Sequence, residues 1–454
     1  MSSHQNRIYN PWEKFFRRKI HSPFEAFLHA QMSSGIILMV MTLVALIWIN
    51  SPLGDFYKHI LHTHISISVG SFVLDRDIHF WVNDGLMTLF FFLVGLEIKR
   101  EILVGELSDI KVSILPILAA IGGMIVPALI FKIVTNGHAG SNGWGIPMAT
   151  DIAFAVSVIV LLGKRVSPQL VTFLVALAIV DDLGAVSVIA IFYTEHINFI
   201  ALSIAIGLFM VLIVFNRFGM RSVFPYGLVG VFIWLFTLES GVHATIAGVL
   251  VAMTIPSLPK FNPRSFSTPM KHLLDDFGKY PIKDNFILKD EQKVIVRDMR
   301  NKIIGIEAPL GRYENALHLP IGLLIIPLFA LINAGIPIDF SSIGTLLLKP
   351  VSLGVILGLV AGKVIGIFGV SWLAIKLGVA KLPEKTTMTQ LFGVSFLGGI
   401  GFTMSIFVAD LAYLSNPELL VQSKAAILTA SILAGTFGYI WLRFISNRNA
   451  IRIE

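Results

Sequence analysis

Apolar residues in this chain fall in long runs separated by short polar turns, not in the stripes of amphipathic helices. A run of about 20 apolar residues is what a helix needs to cross a bilayer. Twelve such runs can be traced, near 33–50, 81–99, 113–134, 143–163, 168–193, 197–215, 223–238, 240–257, 317–336, 350–375, 386–412 and 421–443. Two connections break the pattern. In "HISISVGSFVLD", Ile65, Ile67 and Val69 alternate before Gly70-Ser71, which predicts a β-hairpin near 64–74 with a glycine-first turn. Residues 258–316 form the one long hydrophilic connection and read as an insertion. The expected organisation is an N-terminal segment at 1–32, spans one to eight over 33–257, the insertion at 258–316, spans nine to twelve over 317–445, and a tail at 446–454. Within the first segment, "PWEKFFRRKIHSPFEAF" reads as a basic helix lying in the membrane interface. The first apolar run begins near Ser33 with no A-x-A-like site after it, so it is expected to be retained.

Composition agrees with the pattern. Residues are 55% hydrophobic and only 14% charged, with mean hydropathy +0.80; soluble domains carry about 25% charged residues. The expected fold class is an all-α polytopic membrane protein of about twelve transmembrane helices. Net charge is +7, which by itself suggests a nucleic-acid partner, but 29 of the 35 Lys and Arg sit in the termini and alternate loops. That distribution marks one membrane face as cytoplasmic and places both termini there. The bilayer is therefore the expected partner, and no nucleic acid. There is no cysteine, which excludes disulfides and thiolate metal sites.

The candidate chemistry lies where polar residues interrupt the spans. Asp181 and Asp182 are adjacent midway along the fifth, Asp151 is the ninth residue of the fourth, and Lys363 is midway along the tenth. Each acid at the centre of a membrane helix costs about 2.5 to 3.5 kcal/mol, so such residues mark function more often than packing. A structural ion pair would use Lys363 and one acid, leaving two acids over. By depth the partners open to Lys363 are Asp151, Asp181 and Asp182, with Asp181 the expected one. The backbone carries a second signal. "GWGIPMATDIAFA" in the fourth span and "GGIGFTMSIF" in the eleventh are both Gly- or Pro-interrupted, and they run in opposite directions. Spans three to five and ten to twelve then form inverted repeats, with two broken helices crossing at mid-membrane, where freed backbone groups bind ions or balance charge.

Enzyme motifs are missing. "GLVAGKV" around Lys363 lacks the spacing and the Ser/Thr of a phosphate loop, and there is no H-E-x-x-H. Asp151 and Asp182 on separate helices imitate an intramembrane aspartyl protease, without its G-x-G-D context. A cation channel lined by these acids and another proton-coupled transporter are the remaining alternatives.

Taken together, "ATDIAFA", "ALAIVDDLGA", "FFFLVGLEIKRE", "ESGVHATIAG" and "GGIGFTMSIF" resemble the NhaA-type sodium/proton antiporters of bacterial inner membranes, over nearly the whole chain outside 258–312. That family is itself a standard instance of inverted-topology repeats, so the resemblance implies the same architecture. It implies an electrogenic, pH-regulated, alternating-access exchanger of Na⁺ or Li⁺ for H⁺: a secondary transporter, not an enzyme, with transported ions and no cofactor. Asp181 and Asp182 would bind the metal ion and carry protons in turn, Thr150 and Asp151 would lie at the break of the fourth span, and Lys363 would be the intramembrane cation. Glu97, Arg100, Glu101, His243, Glu314 and His318 match a charged cytoplasmic cluster linked to pH response. Asn315 stands where a histidine is expected, and Asp410 has no counterpart role. The alternating outer stretch is expected to pair strands in a homodimer.

Overall fold

The computed structural model describes residues 23–70, 72–194, 197–280, 288–337 and 343–445; most of the expected interfacial helix and the tail lie outside them. The chain is mostly helical. Helix α1 (Pro23–Ile49) bends by 114° into α2 (Gly54–Leu61), and the hairpin β1 (His64–Val69) and β2 (Phe72–Asp77) follows. A continuous helical run starts at Ile78, passes one π-helical stretch and ends as α3 (Met87–Val104). Then come α4 (Ile110–Val134), a 3₁₀ segment (Ser141–Met148), α5 (Ile152–Val160), α6 (Pro168–Phe192), α7 (Phe199–Arg217), α8 (Val223–Glu239) and α9 (Thr245–Thr254). The insertion contributes α10 (Ser267–Gly278) and α11 (Asp290–Ile306). After these come α12 (Pro309–Pro320), α13 (Ile326–Asn333), a short helix at Ile343–Leu347, α14 (Pro350–Leu357), α15 (Val370–Lys376), α16 (Met388–Leu397), α17 (Phe402–Ala412) and α18 (Pro417–Ile440).

Among the described residues, seven helices are long and apolar enough to cross a membrane, or nine when each bent pair counts as one span. Twelve is not established by this measure, because α8 and α9 are too short for it and the expected span at 81–99 is not among the helices that meet it. The outer surface is apolar: on α7, Phe199 is 73% exposed and Ile200 76%. In water such a surface would drive aggregation; facing lipid it costs nothing.

Pairing in the hairpin is antiparallel, with Ile65 opposite Arg76 and Ile67 opposite Leu74. Gly70 turns the chain with φ +62°, a conformation that side-chain-bearing residues avoid. The insertion is a helical pair whose two ends are tied together: Lys260 and Phe261 donate backbone N–H groups to the Gly305 carbonyl at 2.8 and 3.0 Å, and Asn315 Nδ2 donates to Glu307 Oε1 at 3.0 Å, while Leu310 N–H donates to the Pro256 carbonyl at 3.1 Å. The residue standing where a histidine was expected thus fastens α12 to the end of the insertion. On the exposed face of α10, Lys279 lies 2.7 Å from Asp276 and holds its carboxyl below the usual range.

Next to the interrupted spans, Gly122 of α4 meets Gly366, in the π-helical stretch that leads into α15, so closely that a Cβ at either would come within 2.4 Å of the other's carbonyl oxygen. This contact draws the Lys363 backbone into the core, and two π-helical stretches, Gly358–Gly362 and Ile365–Gly369, flank the lysine. Such widened turns recur where a helix presents a functional group.

Candidate functional site

The site is built where two helices are interrupted. The first stops being helical after Met148; Ala149 is extended (φ −76°, ψ 145°), and helix resumes at Ile152. The second bends by 45° between α16 and α17. The two gaps cross, and the backbone groups each leaves open are met by the other. Asp151 N–H donates to the Ile400 carbonyl at 2.7 Å, and Thr150 Oγ1 donates to the Gly398 carbonyl at 2.7 Å.

Asp151 serves both half-helices at once. Its Oδ1 accepts from Phe154 N–H at 2.9 Å, capping α5, while Oδ2 accepts from Thr403 N–H at 3.1 Å and Thr403 Oγ1 at 2.5 Å, capping α17. A carboxylate between two helix N-termini balances two positive dipole ends in a place without water. Thr403 belongs to a quoted motif but not to the expected site; its signal was its place in the first turn after the glycines.

Lys363 Nζ donates to Asp181 Oδ2 at 2.6 Å and to Thr150 Oγ1 at 2.9 Å, with lysine and aspartate side chains both fully buried. Asp182, next along α6, is also fully buried. Asp181 Oδ1 and both Asp182 carboxylate oxygens have no hydrogen-bond partner among the described residues. Asp151 is saturated, whereas the pair on α6 keeps three acceptor oxygens spare. Hard cations take oxygen ligands of this kind. No group of three or more His, Asp or Glu side chains arranged for a metal occurs among the described residues, so a cation here would rest on two carboxylates and neutral oxygens.

A cavity of about 150 Å³ adjoins the crossing, its lining including Asp151 and Thr403 of the crossing, Glu97 and His318, and Ser33 and Ser34. Beside Glu97 is the charged cluster. Arg100 pairs with Glu314 and, at 2.9 Å, with Glu101. Glu97 is within electrostatic reach of Arg100, Glu101 and Glu314 as well as of Asp182, and Glu314 of His318. Lys99 Nζ donates to the Met253 and Ile255 carbonyls at the end of α9. His243 does not join them. It sits before the start of α9, where its Nε2 lies 3.0 Å from the Tyr193 carbonyl at the end of α6. The ten residues of α9 separate it from the Lys99 end, roughly 15 Å at 1.5 Å per residue. Five of the six expected cluster residues are together, and His243 stands apart because the short helix carries it to the opposite end.

Similarity to known proteins gives the family. The family model described as Na+/H+ antiporter 1 matches residues 25–442. A protein of Sulfurimonas denitrificans named Na(+)/H(+) antiporter NhaA is 60% identical over 440 residues, 97% of this chain and 99% of that one. One of Saccharophagus degradans, named Na(+)/H(+) antiporter NhaA 1, is 49% identical, covering 95% of this chain and 93% of its own. Another of Dichelobacter nodosus is 45% identical, over 98% and 96%. With near-complete coverage and its interrupted helices crossed over a buried carboxylate pair, the chain belongs to the Na+/H+ antiporter 1 family.

Proposed function

We infer that this protein exchanges sodium for protons, with Asp181 and Asp182 holding the two cargoes in turn. The observation that carries this reading is the fully buried carboxylate pair with three spare oxygens beside Lys363. Sodium and protons compete for one anionic site, so loading either excludes the other, and opening the site alternately to each side converts competition into exchange. Lys363 keeps the site compact when no metal ion is bound; an arriving Na⁺ or Li⁺ takes over its contact with Asp181. Thr150 and Asp151 position the crossing. The cavity between Glu97 and Asp151 is the route to the cytoplasmic side, and the Arg100–Glu314 cluster at its mouth is the pH-responsive part. The assignment of that mouth to the cytoplasm rests on the basic loops of the sequence, as do cytoplasmic termini in a bacterial inner membrane. More protons than sodium ions moving per cycle makes the exchange electrogenic.

The exposed strands also support a homodimer through the hairpin: Ile65 is 46% exposed, Ile67 48% and Val73 60%. The deciding experiment is reconstitution into vesicles with a proton-sensitive dye and added Na⁺, Li⁺ or K⁺. Sodium-triggered proton movement against an imposed proton gradient is expected. Movement only down the gradient marks a channel and overturns the reading.

A further inference from the structure

At the end of the molecule opposite the Arg100 cluster lies a second buried polar group that the exchange site does not use. Lys424 Nζ of α18 meets Asp410 Oδ1 of α17 at 2.8 Å, with side-chain exposures of 10% and 6%. Asn83 Nδ2 is 3.5 Å from Asp410 Oδ2 and donates to Asn333 Oδ1 at 3.3 Å; Asn333 Nδ2 donates back to Asn83 Oδ1 at 2.7 Å. His79 Nε2 lies 3.1 Å from Asn333 Oδ1. The group gathers side chains from the helical run before α3 and from α13, α17 and α18.

Its position is ordered with respect to the exchange site. Phe91 and Phe329 flank Phe407 at ring-centre distances of 5.5 and 6.3 Å, and all three are buried. Three helical runs cross the same three levels. One carries Asn83, Phe91 and cavity-lining Glu97; another carries Asn333, Phe329 and cavity-lining Ile326; α17 carries Asp410, Phe407 and Thr403. Asp410 is seven residues beyond Thr403, two helical turns along the same face. A single half-helix therefore holds the crossing with its first turn and the second group with its last, an aromatic layer lying between.

We propose that Asp410, with the amide oxygens of Asn83 and Asn333, is an outer station for the transported cation, closed by Lys424 in this conformation and separated from Asp181 and Asp182 by the Phe91–Phe329–Phe407 layer. One carboxylate and two amide oxygens suit a hard monovalent cation once the mutual Asn83–Asn333 bonds open and Asn83, which here points its NH2 at Asp410, turns its oxygen there instead; the Lys424 ammonium is the occupant an arriving ion displaces. A buried ion pair gives little net stability over apolar residues of similar size, so a packing role accounts poorly for this one. The proposal rests on the antiport reading above and names the route by which that site meets the outer face.

The test uses the full-length protein in vesicles prepared with either orientation, sodium being added from one side at a time. Wild-type exchange in both preparations, and its loss in Asp182→Asn, check the antiport reading independently. Asp410→Asn is expected to raise the outer-side KM for Na⁺ about tenfold, the loss of one charged contact, with the inner-side KM unchanged, so that the outer-to-inner ratio rises. The neutral double variant Asp410→Asn/Lys424→Met keeps that raised ratio while its melting temperature returns toward wild type. An equal rise from both sides, a rise on one side with a matching fall on the other, or no change overturns the proposal. So does restoration of both stability and KM by the double variant, which marks a packing pair.

Discussion

Two lysines in this molecule are buried against an aspartate at nearly the same distance: Lys363 to Asp181 at 2.6 Å and Lys424 to Asp410 at 2.8 Å. Their surroundings differ. Around Lys363 the backbone is interrupted, a second carboxylate adjoins the first, and three carboxylate oxygens lack hydrogen-bond partners among the described residues. Around Lys424 the neighbours are neutral amides that bond one another, Asn83 from a π-helical stretch and Asn333 from the last position of α13. One lysine thus faces two acids and the other a single acid. Excess negative charge in low dielectric calls for a counter-ion, and on the proposed reading a metal ion or a proton supplies it at the central site. A buried ion pair alone is not an exchange site; the surplus carboxylate is what the proposed reading uses.

The strongest way to break this contrast is to remove the surplus. Asp182→Asn leaves the Lys363–Asp181 pair intact, so Na⁺-driven proton movement should fall at least about a hundredfold, the scale of losing a group on which the chemistry depends. The protein should remain folded, with a melting temperature at or above wild type, since a like charge next to Asp181 is gone. Retained exchange would remove Asp182 from the mechanism.

Lys363→Ala probes the other half of the contrast. An aspartate left unpaired at full burial should destabilise the protein by about 3 to 5 kcal/mol, read as a lowered melting temperature in detergent. Lys363→Ala/Asp181→Asn should regain most of that loss without regaining exchange. A single variant as stable as wild type would show that the pair is not holding the helices.

A smaller effect is expected at the crossing. Thr403→Val deletes the hydroxyl bonded to Asp151 while keeping the backbone N–H contact. Loss of one hydrogen bond to a charged group costs about 1.5 to 3 kcal/mol, so melting should drop moderately and exchange should slow but persist. Full loss of exchange would mean that Asp151 handles cargo directly.

The least effect on exchange belongs to regions far from both lysines. Deleting 64–74 should convert dimers to monomers in mild detergent with exchange intact; a deletion variant that stays dimeric places the interface elsewhere. Lys279→Ala on α10, at an exposed pair three residues apart, should leave both stability and exchange unchanged.

How much of this was legible beforehand varies with the kind of interaction. The hairpin followed from a two-residue alternation and a glycine, both local. The interrupted fourth and eleventh spans are legible only as a pair: the unbroken α4 also contains Pro116, Gly122, Gly123 and Pro127, but Pro147 and the Gly398, Gly399 and Gly401 group hold matched places in two spans that run in opposite directions. Thr403 was passed over because one hydroxyl in an apolar run looks like any other. The Asp410–Lys424 group stayed hidden because its members come from four segments spread between His79 and Lys424, with no common motif. His243 was grouped by resemblance with a cluster that its own span carries it away from.

By itself the sequence determined that the chain lives in a bilayer and that Asp181, Asp182, Asp151 and Lys363 are withdrawn from water. Apolar runs of bilayer length leave no other place for them, and depth along a helix is a one-dimensional quantity that residue counting measures. Only the tertiary structure decided that Lys363 meets Asp181, that Asp151 caps two half-helices at once, and that the α6 pair keeps its oxygens spare. Those outcomes depend on which face of each helix meets which neighbour, set by close contacts such as Gly122 on Gly366 and by where the interrupted backbones cross.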